Sequence, residues 1–191
     1  MVEASQAAYL VVDLEATCDQ DGLPRPQREI IEIGAVIVHG ETYEAMDEFQ
    51  TFVRPVRHPV LTQYCLELTT ITQEQVNGAP SFADAMKAFG AFIARNQNAL
   101  FCSWGKYDAR QLRQDCDYHG LDYPFGEHLD LASSFRRKQG FVRRLGLKES
   151  LKRAGIPMVG TQHRGIDDAR SLAALLPWCL GLKKVADDAP A

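Results

Sequence analysis

The segment from Tyr9 to Glu15 constrains the fold more than any other. It is apolar and β-branched up to its acidic end, which reads as a strand. A strand built of Val and Leu has no structural use for two acids. Alternate residues of a strand point to the same face, so Asp13 and Glu15 converge on one point. Two carboxylates buried side by side repel each other and are tolerable only if protonated or neutralised by a cation. Converging carboxylate oxygens suit Mg²⁺ or Mn²⁺. A strand that ended at Leu14 would instead leave both acids in solvent, and the pair alone does not decide between these readings.

The rest of the chain has to build a scaffold around that strand. Ile30 to Val38 and Glu48 to Val53 read as two further strands, and Gly22, Pro24 and Pro26 mark a long loop between the first and second. Strands in succession without helices between them imply an antiparallel meander. The character then changes. Ser81 is placed to cap a helix running from Phe82 with apolar residues three and four apart. Ala99 to Cys102 reads as a strand, Lys106 to His119 as a helix ending at Gly120, and His128 to Leu131 as a short strand. Leu147 to Ala154 reads as a helix closed by Gly155. Arg164 to Leu180 reads as a last helix interrupted near its end by Pro177. The order βββ-α-β-α-β-α-α predicts an α/β fold with a mixed five-stranded sheet flanked by helices, antiparallel first and parallel later.

Two later segments carry further candidates. Asp108 falls in the first turn of the helix that follows Ser103-Trp104-Gly105; an acid there also complements a helix dipole. His163 precedes the last helix, and Asp168 borders that helix's apolar side of Ile166, Ala169, Leu172, Ala173 and Leu176. Asp167 lies one residue round, towards solvent, and spacing does not separate it from Asp168.

Taken together, the D-x-E of the first strand, the Asp after a later strand, and the H-x-x-x-x-D of the last helix resemble the DEDDh superfamily of 3′–5′ exonucleases. The resemblance spans Tyr9 to Leu180. Leu68 to Thr72 is similar to a loop preceding a short helix, in which many members read T-G-I-T, with Thr70 here in place of the glycine. Ser103-Trp104-Gly105-x-x-Asp108, Tyr123-Pro124-Phe125 and the stretch from Gly155 to Asp168 resemble the subgroup that trims small interfering RNAs, histone messages and ribosomal RNA ends. The resemblance implies a ribonuclease H-like fold and two Mg²⁺ ions, with Mn²⁺ able to substitute. The metal ligands it implies are Asp13, Glu15, Asp108 and Asp168, with His163 as general base. It implies a terminal-nucleotide pocket from Leu14, Ala16 and Thr17, with Leu68, Ile71, Trp104 and Tyr107 as base contacts. The implied substrate is RNA in preference to DNA.

Composition fits one domain. The chain has 191 residues, enough for one core, and we place the domain at residues 5–182 with a frayed tail over 183–191. No apolar run reaches the roughly 20 residues of a membrane span, and Met1 to Ala8 lacks the basic start of a signal peptide. Five scattered cysteines without a CxxC suit free thiols and a cytoplasmic protein. The net charge of −4 argues against a wholly basic nucleic-acid binder, but a metal-holding acidic site contributes negative charge of its own. The basic stretch from Arg136 to Arg153 is either a phosphate-tracking rim or a solvated helix face. Three other readings stay open at this point: a DNA exonuclease of the same superfamily, a non-catalytic RNA-binding protein, and a metal-dependent hydrolase of mononucleotides.

Overall fold

In the computed structural model, which describes residues 6–186, β1 (Ala8–Ala16) lies at the centre of one mixed sheet. It pairs antiparallel with β2 (Ile30–His39), which pairs antiparallel with β3 (Ala45–Phe52). On its other edge it runs parallel to β4 (Ala99–Ser103), and β4 runs parallel to β5 (His128–Asp130). The resulting order is β3-β2-β1-β4-β5. The meander and the later parallel strands therefore stand as the sequence order implies.

Both faces of the central strand are covered, which explains its unbroken apolar run. Leu10, Val12 and Leu14 point to one face. They pack with Phe82, Phe89 and Phe92 of α3 (Phe82–Arg95) and with Leu112 and Cys116 of α4 (Tyr107–His119). Tyr9 and Val11 point to the other. There they meet α5 (Leu131–Gln139), α6 (Leu147–Ala154) and α7 (Gly165–Leu180) through Leu131, Phe135, Leu151, Leu172 and Leu176. By the same alternation Asp13 and Glu15 fall on the α7 face, at the end of β1 where the sheet turns from antiparallel to parallel. The helix signals read from the sequence hold: Ser81 accepts the Asp84 N–H at 3.2 Å, and Gly120 and Gly155 close α4 and α6 at φ of 65° and 70°.

Several expectations need correction. Short helices at Gln63–Thr69 (α1) and Leu131–Gln139 (α5) were not foreseen, while α2 (Gln73–Asn77) is the short helix that the loop resemblance implied. The strand expected to reach Leu131 stops at Asp130, because the Asp130 carboxylate caps α5 by accepting the Ser133 N–H at 2.8 Å. β3 begins at Ala45, ahead of Glu48. Pro177 does not interrupt α7; the helix runs on to Leu180 and closes at Gly181. Thr70, at φ 58°, holds the left-handed position that glycine occupies more easily. In the expected tail, Gln139 bonds the Lys183 carbonyl and the Val185 N–H, and Lys183 lies 4.7 Å over the Trp178 ring. These residues are docked. Residues 187–191 of that tail, and most of the Met1 to Ala8 segment, lie outside the described residues. All five cysteines are unpaired, and no helix among the described residues is long and apolar enough to cross a membrane.

Candidate active site

At the end of β1, α7 reaches the strand through a contact that no side chain could share. A Cβ added to Gly34 of β2 would sit 2.1 Å from the Gly165 carbonyl carbon, and one on Gly165 would sit 3.0 Å from the Asp13 carbonyl oxygen. Asp13 and Gly34 are register partners. Two glycines therefore let the first turn of α7 lie directly on the strand pair beside the first acid. Glu32, fully buried two residues before Gly34, completes the dock. Its carboxylate accepts the Gly165 N–H at 3.0 Å and pairs with Arg164 at 3.2 Å.

This docking carries His163 and Asp168 into place. His163 adopts φ 61°, a left-handed turn, and its N–H donates to the Asp168 carboxylate at 2.9 Å. Ligand atoms of Glu15, His163 and Asp168 lie within 4.8 Å of one another. Asp168 is buried, and its Oδ1 has no hydrogen-bond partner. A buried carboxylate oxygen without a donor is costly unless something positive meets it. The choice between Asp167 and Asp168 follows directly. Asp167 accepts the Thr161 N–H and pairs with Arg170 at 3.1 Å, outside the cluster.

Asp108 arrives from the opposite face of the sheet. It is buried in the first turn of α4 and accepts the Leu14 N–H at 3.2 Å. Asp13, Glu15, Asp108, His163 and Asp168 line one cavity of about 420 Å³, with Leu14, Trp104, Tyr107 and Lys148 also on its wall. The electrostatics match the crowding. Burial, then the charges of Asp108, Glu15, Asp168 and Glu32, hold the Asp13 carboxyl well above its ordinary range. Burial and then Asp168 and Glu32 push Glu15 up to about 9. Burial raises Asp108 to about 6 against the opposing pull of its backbone hydrogen bonds, and it raises Asp168 as well. Such a site is incomplete without cations, and its converging carboxylate oxygens fit a hard divalent metal.

The other residues singled out in the sequence divide. Leu14, Trp104 and Tyr107 line the cavity. Ala16, Thr17 and Leu68 do not. The Thr17 side chain accepts the Glu29 N–H at 2.9 Å and so secures the loop after β1. Ile71 is fully buried among Ile31, Leu61, Cys65 and Val76, so its side chain is core and offers no surface to a base. The basic stretch also splits. Lys148 lies on the cavity wall, Arg144 pairs with Asp130, Arg153 pairs with Glu149, and Arg136 to Lys138 end α5, where cations complement the helix dipole. Glu32 was missed, although an acid within Ile30-Ile31-Glu32-Ile33 carries the same signal as Asp13.

Carboxylates set this way on a ribonuclease H-like sheet define a class, the divalent-metal-dependent nucleases of the DEDDh type. Within that class the chain belongs to the exonuclease family, whose sequence profile matches residues 10–176. It is 34% identical over 178 residues to human "ERI1 exoribonuclease 3", across 88% of this chain and 52% of that protein. The chain thus spans about half the length of the ERI1 exoribonuclease 3 relatives it matches. It is 33% identical over 166 residues to "Probable 3'-5' exonuclease KapD" of Bacillus subtilis (strain 168), across 85% of this chain and 79% of that one. Among solved structures, the nuclease domain of 3'hExo, "a DEDDh family member, bound to rAMP", superposes with a TM-score of 0.81 at 26% identity, covering 97% of this chain and 99% of that one.

Proposed function

We propose that this chain is a 3′–5′ exoribonuclease that releases nucleoside 5′-monophosphates from RNA 3′ ends, with two Mg²⁺ ions for which Mn²⁺ can substitute. The observation that carries the reading is the convergence of four carboxylates and His163 on one cavity, with an unsatisfied Asp168 oxygen among them. Asp13, Glu15, Asp108 and Asp168 would hold the ions. The ions supply Lewis acidity to the scissile phosphate and to the attacking water. The protein's own part is positional. His163, whose backbone turn is held by its N–H bond to Asp168, would take the proton from the attacking water. Lys148 at the wall meets phosphate charge. Trp104 and Tyr107 give the terminal base an aromatic surface that is indifferent to sequence. The preference for RNA is supported by the names of the ERI1 relatives and by the nucleotide bound to the 3'hExo domain.

The test is digestion of a 5′-labelled single-stranded RNA and its DNA twin with Mg²⁺, Mn²⁺ or EDTA. The expected result is a metal-dependent ladder shortening from the 3′ end, faster on RNA. Equal rates on both strands would overturn the RNA preference. No shortening with any metal would overturn the nuclease reading.

A further inference from the structure

Beside the acidic cavity lies a second one of about 600 Å³, and Trp104 and Tyr107 line both. Its charge is the opposite. Arg25 from the turn after β1, Lys106 and Arg110 from the start of α4, and Arg144 from the loop before α6 line it, and no carboxylate does among the described residues. Arg144 is paired with Asp130 at 2.8 Å. Arg25, Lys106 and Arg110 are exposed, and none forms an ion pair among the described residues. Three exposed, unpaired cations around one concavity make a positive focus that favours an anionic ligand.

The geometry of the reaction says which anion. α7, with His163 and Asp168, covers one face of the sheet, and α4, with Asp108, covers the other. In an in-line displacement the leaving oxygen departs opposite the attacking water. With the water at His163, it departs towards α4. In a 3′–5′ exonuclease that oxygen is the 3′ oxygen of the penultimate nucleotide, which carries the whole remaining strand. The basic cavity is walled by Tyr107, Arg110 and Gln111 of that same helix.

We propose that this cavity seats the phosphates lying 5′ to the scissile bond of a single-stranded polynucleotide, with Arg25, Lys106 and Arg110 as their counter-charges. The inference rests on the nuclease reading above and deepens it. It makes the enzyme sensitive to strand length beyond the bond it cuts. A dinucleoside monophosphate has only the scissile phosphate and leaves the cavity empty of charge, whereas an octanucleotide fills it.

The experiment compares KM for these two substrates in the wild type, Arg25→Glu, Arg110→Glu and, as a control for net charge, Lys87→Glu on the exposed side of α3. Arg25→Glu and Arg110→Glu should each raise the octanucleotide KM at least tenfold and shift the dinucleotide KM less than twofold. The salt dependence of octanucleotide binding should become shallower by about 0.7 in log–log slope for each phosphate no longer neutralised. Fluorescence anisotropy of the labelled octanucleotide, with Ca²⁺ in place of the catalytic metal, reads the same slope without turnover. The inference is overturned if Arg110→Glu weakens the octanucleotide no more than Lys87→Glu does, or if both substrates suffer alike. A wild type that cleaves neither substrate sinks the nuclease reading, and the anisotropy arms still decide whether the cavity binds the strand.

Discussion

Replacing Glu15 with Gln should stabilise the metal-free protein while abolishing its activity. The Glu15 carboxyl is pushed from its ordinary 4.5 to about 9, by burial first and by Asp168 and Glu32 next. Between those two values the folded protein keeps a proton that the unfolded chain has released, so stability falls as pH rises through the window. At pH 7 the loss is set by the distance from 4.5 to 7, whatever the folded value above 7. It amounts to about 3 kcal/mol at 1.36 kcal/mol per pH unit. At pH 5 it is under about 1 kcal/mol by the same relation. Glutamine has the size of the protonated acid and does not titrate, so Glu15→Gln removes this penalty. For a chain of this length that is a rise in Tm of roughly 6–12 °C at pH 7. The assay is a set of thermal melts of both proteins in EDTA at pH 5, 7 and 8.5, repeated with saturating Mg²⁺. The variant should melt higher by a margin that grows with pH. Metal should raise the wild type more than the variant, since binding uses the ionised form. A gap in EDTA that is independent of pH, or widest at pH 5, would refute the argument.

His163→Ala should lower kcat by 10²–10⁴-fold, the usual worth of a positioned general base, while metal affinity measured by calorimetry moves little. Gly34→Ala should cost roughly 1–3 kcal/mol or more in a urea melt and lower activity with it, because its Cβ would collide with the Gly165 backbone and lift α7 from the acids. Ile71→Ala should cost about 2–5 kcal/mol of stability and leave KM for RNA unchanged; a raised KM in a variant of normal stability would return Ile71 to the substrate pocket.

The acids were legible in the sequence for a specific reason. Strand alternation fixes that Asp13 and Glu15 share a face, so one local periodicity locates two of the five residues; the apolar side of the last helix narrows the next acid to Asp167 or Asp168, and only the Asp167–Arg170 pair separates them. Asp108 was legible as a first-turn residue, although its bond to the Leu14 N–H depends on the parallel pairing of β1 and β4, which no local pattern encodes. What could not be read is what depends on close approach. The Gly34–Gly165 crossing, the left-handed His163 and the Glu32–Arg164 pair join residues more than a hundred positions apart or hinge on one φ angle. Ile71 shows the converse. A motif position suggested a substrate contact, and burial made it core. Helices α1 and α5 were missed because each is short and is started by a cap, Thr62 or Asp130, that reads equally well as a turn or strand end.

The glycine crossing has a consequence for the order in which the chain becomes active. Gly34 lies in β2, and Gly165 opens α7 more than a hundred residues later in the chain. Until the residues around 165 are made, Asp13, Glu15 and Asp108 precede His163 and Asp168, and Gly34 has no α7 to lie against. The first three carboxylates of the cluster therefore emerge during synthesis before His163 and Asp168, and α7 is the element that completes it.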